Sequence, residues 1–143
     1  MSSPTRPLCC GFDIVSLNIG FGPIGWAEQI RVVFAMRAWI GERPHRYRLV
    51  ASVDDIVEAR AARLLAISFD IEGMDPVVDR PDLVRSFHTL GVRWMLIAYN
   101  RNNAAGGGCL DLDPGLTPAG RAIIDEMERD GMVLCLTHAG TRR

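Results

Sequence analysis

The stretch LLAISFDIEG at residues 64–73 decides the fold. Its first eight residues are almost all apolar or β-prone, a run that is too short for a typical helix and shows no polar alternation. A strand of this kind is buried on both faces, and such strands belong to parallel sheets covered by helices. We therefore expect residues 64–71 to form an internal strand of an α/β fold, with Glu72 just past its carboxyl end.

Strands and helices alternate on both sides of this segment. Further strands are predicted at residues 12–19 (FDIVSLNI), 92–99 (VRWMLIAY) and 132–137 (MVLCLT). Apolar periodicity predicts helices at Trp26–Ile40, Val53 to about Arg63, Pro81–Leu90 and Pro118 to Gly131. Ser52 and Thr117 are the expected N-caps of two helices, and Gly91 the expected C-terminal glycine of a third.

This alternation predicts a parallel sheet, which is either an open doubly wound sheet or part of a closed barrel. A doubly wound phosphate-binding domain would carry a glycine-rich turn directly after its first strand. Gly20, Gly22 and Gly25 follow that strand, but the bulky residues between them break the usual fingerprint.

Composition limits the classes of protein to which the chain can belong. The chain has 143 residues, a net charge of −1 and 48% hydrophobic residues, which indicates one globular domain. Arginines are scattered, so no nucleic-acid partner is expected, and no apolar run reaches the roughly 20 residues of a membrane span. No signal peptide is evident. The four cysteines match no zinc motif, and we expect reduced thiols in a cytoplasmic protein; they are Cys9, Cys10, Cys109 and Cys135.

Two residues at strand ends are candidates for a metal site. Glu72 follows the strand at 64–71, and His138 follows the strand at 132–137. In parallel barrels the reactive face is built from the carboxyl ends of the strands, so both side chains are expected to point into one site. A carboxylate and an imidazole are suitable zinc ligands. The alternative is that each is an ordinary loop residue or a hydrogen-bonded partner. Asp70 and Asp75 flank Glu72, and Asp70 on the strand is either buried with a partner or caps a turn.

Other polar residues are weaker candidates. His45, among the arginines at 43–48, is expected on a solvated surface, and His88 is expected on a helix as a surface or half-buried histidine. The glycines at 106–108 have no helix start directly after them and no nearby lysine, so we interpret them as a flexible loop at the active face and not as a phosphate cradle.

Three segments in unbroken order carry a family resemblance. They are SFDIEG (68–73), LGVRWMLIAYNRNN (90–103) and GLTPAGRAIIDEMERDGMVLCLTHAG (115–140). Together they resemble the membrane (renal) dipeptidases, and the likeness extends from about Phe12 to Gly140. It implies a zinc peptidase with a TIM-type (β/α) barrel, in which Glu72 matches a carboxylate bridging two zinc ions and His138 matches a ligand of one of them. It also implies hydrolysis of dipeptides by a water held between the two metals.

The chain departs from the family pattern in three places. It contains no His-x-Asp pair of the kind that the family's first strand supplies to one zinc, and it stops at Arg143, before a later Ser-His segment that supplies another ligand. Tyr99 stands where the family members considered carry a substrate-binding histidine, and it is the expected substrate-binding residue here. No catalytic side chain is assigned.

The chain is also short for a complete barrel. A barrel of eight strand–helix units takes about 250 residues, whereas the predicted strands correspond to roughly the second to fifth units. We therefore expect residues 1–143 to form a single partial-barrel domain without the family's first strand and C-terminal half, inactive alone. A homo-oligomer is one way to close its open sheet edges. The rival interpretation is a non-catalytic fragment or degenerate homologue that binds no metal.

Overall fold

The computed structural model of the chain describes residues 11–141. The strands are β1 (Ile14–Phe21), β2 (Tyr47–Leu49), β3 (Leu65–Glu72), β4 (Val92–Leu96) and β5 (Val133–Cys135). The helices are α1 (Trp26–Gly41), α2 (Val53–Ala61), α3 (Leu83–Leu90) and α4 (Pro118–Asp130), and a short 3-10 turn covers Asp75–Val77. The alternation of strands and helices is the one that the sequence predicts, with ends that differ by a few residues.

All the strand pairs are parallel, and the four principal strands lie across the sheet in the order β1-β3-β4-β5. Short β2 pairs with the first part of β3. A doubly wound sheet reverses its strand order at a switch point, whereas these four strands follow one another across the sheet in chain order. The α/β fold class is confirmed, and the winding is that of a segment of barrel wall.

One covered face of the sheet holds the main hydrophobic core. Ile67, Phe69 and Ile71 of β3 point to this face and share one cluster with residues of α1, α3 and α4. The helices contribute Val33, Ile40, Val84, Phe87, Ile123 and Met127. We call this side the covered face. Near the amino end of β3, Ala66 points the other way and packs with Ala59 of α2.

The opposite side of the sheet is open along β1. We call the side carrying Ile14, Ser16, Asn18, Asp70 and Val133 the open face, since these residues share one side through the strand register. Burial along β1 alternates, so the prediction that all strands are buried on both faces is wrong for β1. β3 lies between neighbours and is buried over seven of its eight residues.

The segment at residues 43–48 also differs from expectation. Its arginines suggested a solvated surface, but Tyr47–Leu49 forms β2, because Tyr47 and Leu49 pack against the core while Arg48 pairs with Asp55 and Glu58. His45 itself is exposed, as predicted.

The three predicted capping residues are confirmed. Ser52 caps α2 in a reciprocal capping box with Asp55, and Thr117 accepts a hydrogen bond from the Gly120 amide at the start of α4. Gly91 ends α3 in the left-handed conformation. Among residues 11–141, no helix has both the length and the apolar composition needed to cross a bilayer.

Candidate metal centre at the carboxyl ends of the strands

Glu72 is the last residue of β3, one position earlier relative to the strand end than the sequence predicts. It lies opposite Phe21 of β1, and its backbone carbonyl accepts a hydrogen bond from the Gly22 amide at 3.1 Å. Strand alternation places Glu72 on the same side as Asp70, which is the open face. Its side chain is half-buried. Glu72 therefore stands at the carboxyl end of the sheet, on the side that a barrel would enclose.

Asp70 lies on the same face, two residues before Glu72. It is 3% exposed, and its carboxylate accepts hydrogen bonds from the Ser16 hydroxyl at 2.5 Å and the Asn18 side-chain amide at 3.0 Å. Of the two expectations for Asp70, burial with a partner is the one found, and both partners lie on β1. These bonds fix the polar interior of the open face two residues before Glu72.

His138 lies three residues after the end of β5, in a tight turn where its φ is 64°. Its backbone carbonyl accepts from the Cys109 amide at 2.9 Å, and the Gly140 amide donates to the Gly107 carbonyl at 2.8 Å. The turn that carries His138 is therefore held by the glycine run at 106–108.

That glycine run is buried and closely packed. A Cβ atom at Gly107 would lie 1.9 Å from the Asp113 carboxylate, and one at Gly108 would lie 2.4 Å from the Asn100 backbone. At Gly108 the backbones approach too closely for a side chain, and at Gly107 the Asp113 side chain fills the space. This close packing replaces the interpretation of the run as a flexible loop.

The structure brings His138 and Tyr99 together. Their ring centroids are 4.6 Å apart, and Phe21 also packs against Tyr99, with a centroid distance of 5.7 Å. Nδ1 of His138 lies 2.7 Å from Oδ1 of Asn100. Sequence reasoning missed Asn100, and the one signal for it was the Asn-rich composition of the loop that follows β4.

A cavity of about 460 Å³ opens beside Tyr99. Its lining includes Phe21, Leu110, Asp75 and Asn103. Asn103 donates to the Asp75 carboxylate at 3.0 Å and accepts from the Ala105 and Gly106 amides, so the polar wall is held by a side-chain network.

An ion pair holds the loop between β4 and α4 beside the cavity. Arg101 binds the Asp111 carboxylate at 2.6 Å, and this hydrogen bond, with one from the Asn102 amide, holds the pKa of Asp111 below its usual value. The cavity therefore has ordered aromatic, amide and carboxylate walls close to His138.

The donor types fit zinc, but their number falls short. Glu72 supplies a carboxylate and His138 an imidazole. Within residues 11–141, however, no three His, Cys, Asp or Glu side chains come close enough together to hold a metal ion. Zinc sites use three or four protein ligands, so further donors are needed beside these two.

Comparison with known proteins identifies the family of the chain. Residues 27–143 match the family model of membrane dipeptidases, peptidase family M19. The chain belongs to this family. Two solved metallopeptidases share the fold of this chain, at 21% and 23% identity.

Individual relatives agree with this assignment. An uncharacterised dipeptidase of Schizosaccharomyces pombe is 39% identical over 71 residues, which are 48% of this chain and 17% of the relative. An amidohydrolase from Pseudomonas aeruginosa superposes with a TM-score of 0.89 and 26% identity, over 97% of this chain and 42% of that chain.

A metallopeptidase from Rhodobacter sphaeroides, solved with a phosphinate mimic of the dipeptide L-Ala-D-Ala, has a similar fold. Its TM-score is 0.72 at 21% identity, over 80% of this chain and 34% of that chain. The chain thus spans less than half the length of each of these three proteins.

Proposed function

We propose that the chain is the part of a zinc dipeptidase that supplies Glu72 and His138 to a binuclear metal centre. The observation that supports this most strongly is the placement of Glu72 at the end of β3 and of His138 in the turn after β5, at the carboxyl end of one parallel sheet, in a member of the membrane dipeptidase family. In this proposal Glu72 and His138 would hold the zinc, with the Glu72 carboxylate serving both ions and the His138 imidazole one of them.

The residues around the two donors have separate roles. Bound zinc would supply a Lewis acid that polarises the scissile carbonyl and activates water. Tyr99 packs against His138 and borders the cavity, and its hydroxyl would donate a hydrogen bond to a dipeptide carbonyl. Asp75 and Asn103 would form a fixed polar wall for the same substrate.

Catalysis needs more donors than residues 11–141 bring together. We therefore propose that residues 1–143 act as a single partial-barrel domain, inactive by itself, in which the family's first strand and C-terminal half are not represented. A second copy of the chain is one source of the remaining donors. The cytoplasmic location stays a prediction.

The competing function is a non-catalytic scaffold that binds no metal. The observation that favours it is the same shortage: within residues 11–141, no three His, Cys, Asp or Glu side chains come close enough together to hold a metal ion. Zinc binding separates the two functions, because a scaffold has no reason to retain the ion.

The test is the zinc content of the purified chain after equilibration with zinc and dialysis. We expect Glu72→Gln to lower the zinc content the most, since a bridging carboxylate serves both ions, and His138→Ala to weaken one site. Glu128→Gln on the exposed face of α4 and His45→Ala are the matched controls, which should behave as wild type. Zinc near two per chain that is lost in Glu72→Gln supports the metal centre, whereas no retained zinc supports the scaffold.

A further inference from the structure

His138 and Asn100 form a pair with unusual backbone geometry. Both adopt the left-handed conformation, with φ of 64° and 63°, and their side chains are joined by the 2.7 Å contact between Nδ1 and Oδ1. Among residues 11–141 the only other non-glycine residue with positive φ is Arg63, at the end of α2. Left-handed backbone is unfavourable for residues with a Cβ atom, so surrounding contacts must maintain it at both positions.

Those contacts are present for Asn100. Its carbonyl accepts from the Leu110 amide at 2.8 Å, and its backbone packs so closely on Gly108 that no side chain fits there. The Gly108 amide in turn donates to Oδ1 of Asn102 at 2.9 Å. The loop thus fixes the Asn100 backbone, and with it the direction of the side-chain amide.

The contact sets the tautomer of the imidazole. An amide oxygen carries no hydrogen, so Nδ1 of His138 is the donor in this bond. In a neutral ring the proton on Nδ1 leaves Nε2 with its lone pair free. The Tyr99 ring, 4.6 Å from the imidazole, packs against the ring so oriented.

We propose that Asn100 is a positioning residue for His138. It holds the imidazole with Nδ1 protonated and Nε2 unprotonated, so that Nε2 is the atom presented to a metal ion. The metal step rests on the proposed function, but the tautomer is a property of the metal-free chain and can be measured without it.

Two variants distinguish the effect of the Asn100 side-chain acceptor from the effect of the backbone conformation at residue 100. Asn100→Gly removes the acceptor and tolerates positive φ without strain, so the loop should keep its fold. Asn100→Asp keeps an oxygen acceptor and also tolerates this conformation. A merely structural role for Asn100 predicts that the glycine variant behaves as wild type.

The first readout is the ring-nitrogen spectrum of ¹⁵N-histidine-labelled, metal-free chain at mildly alkaline pH. The chain has three histidines, and His138→Gln identifies the signals of His138. We expect Nδ1–H in wild type and in Asn100→Asp, and a shift towards Nε2–H in Asn100→Gly. An Nε2–H ring in wild type, or an unchanged tautomer in Asn100→Gly, would overturn the proposal.

The second readout is zinc affinity by titration calorimetry. Loss of a residue that orients a metal ligand weakens binding by about 10–100-fold, so Asn100→Gly should fall in this range and Asn100→Asp should recover most of the loss. Equal affinity in wild type and Asn100→Gly would also overturn the proposal. If no variant binds zinc while the tautomers follow the expected pattern, the proposed function fails and the role of Asn100 in orienting the ring stands.

Discussion

The two faces of the sheet are built from different residues. On the covered face, Phe69 and Ile71 are fully buried under three helices. On the open face, Ile14 is 39% exposed and Val133 62% exposed, and the buried positions of β3 on that side include Ser68 and Asp70. Burial of apolar surface is thus concentrated on the covered face.

The two faces therefore differ in role: the covered face stabilises the fold, and the open face carries the candidate site. The covered face has a complete helix layer among the described residues, so its core can form from local strand–helix units. The open face carries the polar pairs around Asp70 and ends at Glu72. In a closed barrel this second face would be interior, where further strands complete it.

The largest expected effect on stability comes from a substitution in the core of the covered face. Phe69→Ala should lower the free energy of unfolding by about 3–5 kcal/mol, because it leaves a large cavity under the helices. Val133→Ala on the open face should change it by no more than about 0.5 kcal/mol. Urea unfolding of both variants measures the contrast. A comparable loss in Val133→Ala would show that the open face is covered in solution, as self-association predicts.

A smaller effect is expected where the turn carrying His138 is held. Gly108→Ala places a Cβ atom 2.4 Å from the Asn100 backbone and should lower the free energy of unfolding by about 1–3 kcal/mol. Gly41→Ala, at the open end of α1, is the control and should be neutral or slightly stabilising. The same variants should be compared for zinc affinity, which Gly108→Ala should weaken and Gly41→Ala should leave unchanged.

Local signals made most of the fold predictable. Ser52, Thr117 and Gly91 mark helix ends through bonds made within a few residues, and β3 is an apolar run bounded by a helix and Gly73. Sequence reasoning missed β2 because three residues with an arginine at their centre show no pattern, and their pairing with β3 is a tertiary contact. The exposure of β1 also depends on what covers it, which a segment's own composition does not state.

The candidate site was predictable in part for the same reason. Glu72 and His138 follow apolar strands, so their place at the carboxyl ends of the sheet could be inferred, and both are found there. The bond from His138 to Asn100 joins residues 38 positions apart. It depends on the left-handed turns at both ends and on the close approach of Gly108, which no local pattern specifies.

The smallest expected effect concerns charge on the covered side, at His88 of α3. Burial, together with the nearby Arg93 cation, lowers the pKa of His88 below its ordinary value of 6.5, while Asp130 opposes the shift. Below that value the unfolded chain takes up a proton that the folded chain still resists, so stability should fall as the pH drops through this window and level off below the folded pKa. His88→Gln should reduce this pH dependence, and Ser86→Ala on the same helix should retain it. Urea unfolding at neutral pH and about one unit below the ordinary histidine value measures the difference, and an identical slope in His88→Gln and wild type would place the pH dependence elsewhere in the chain.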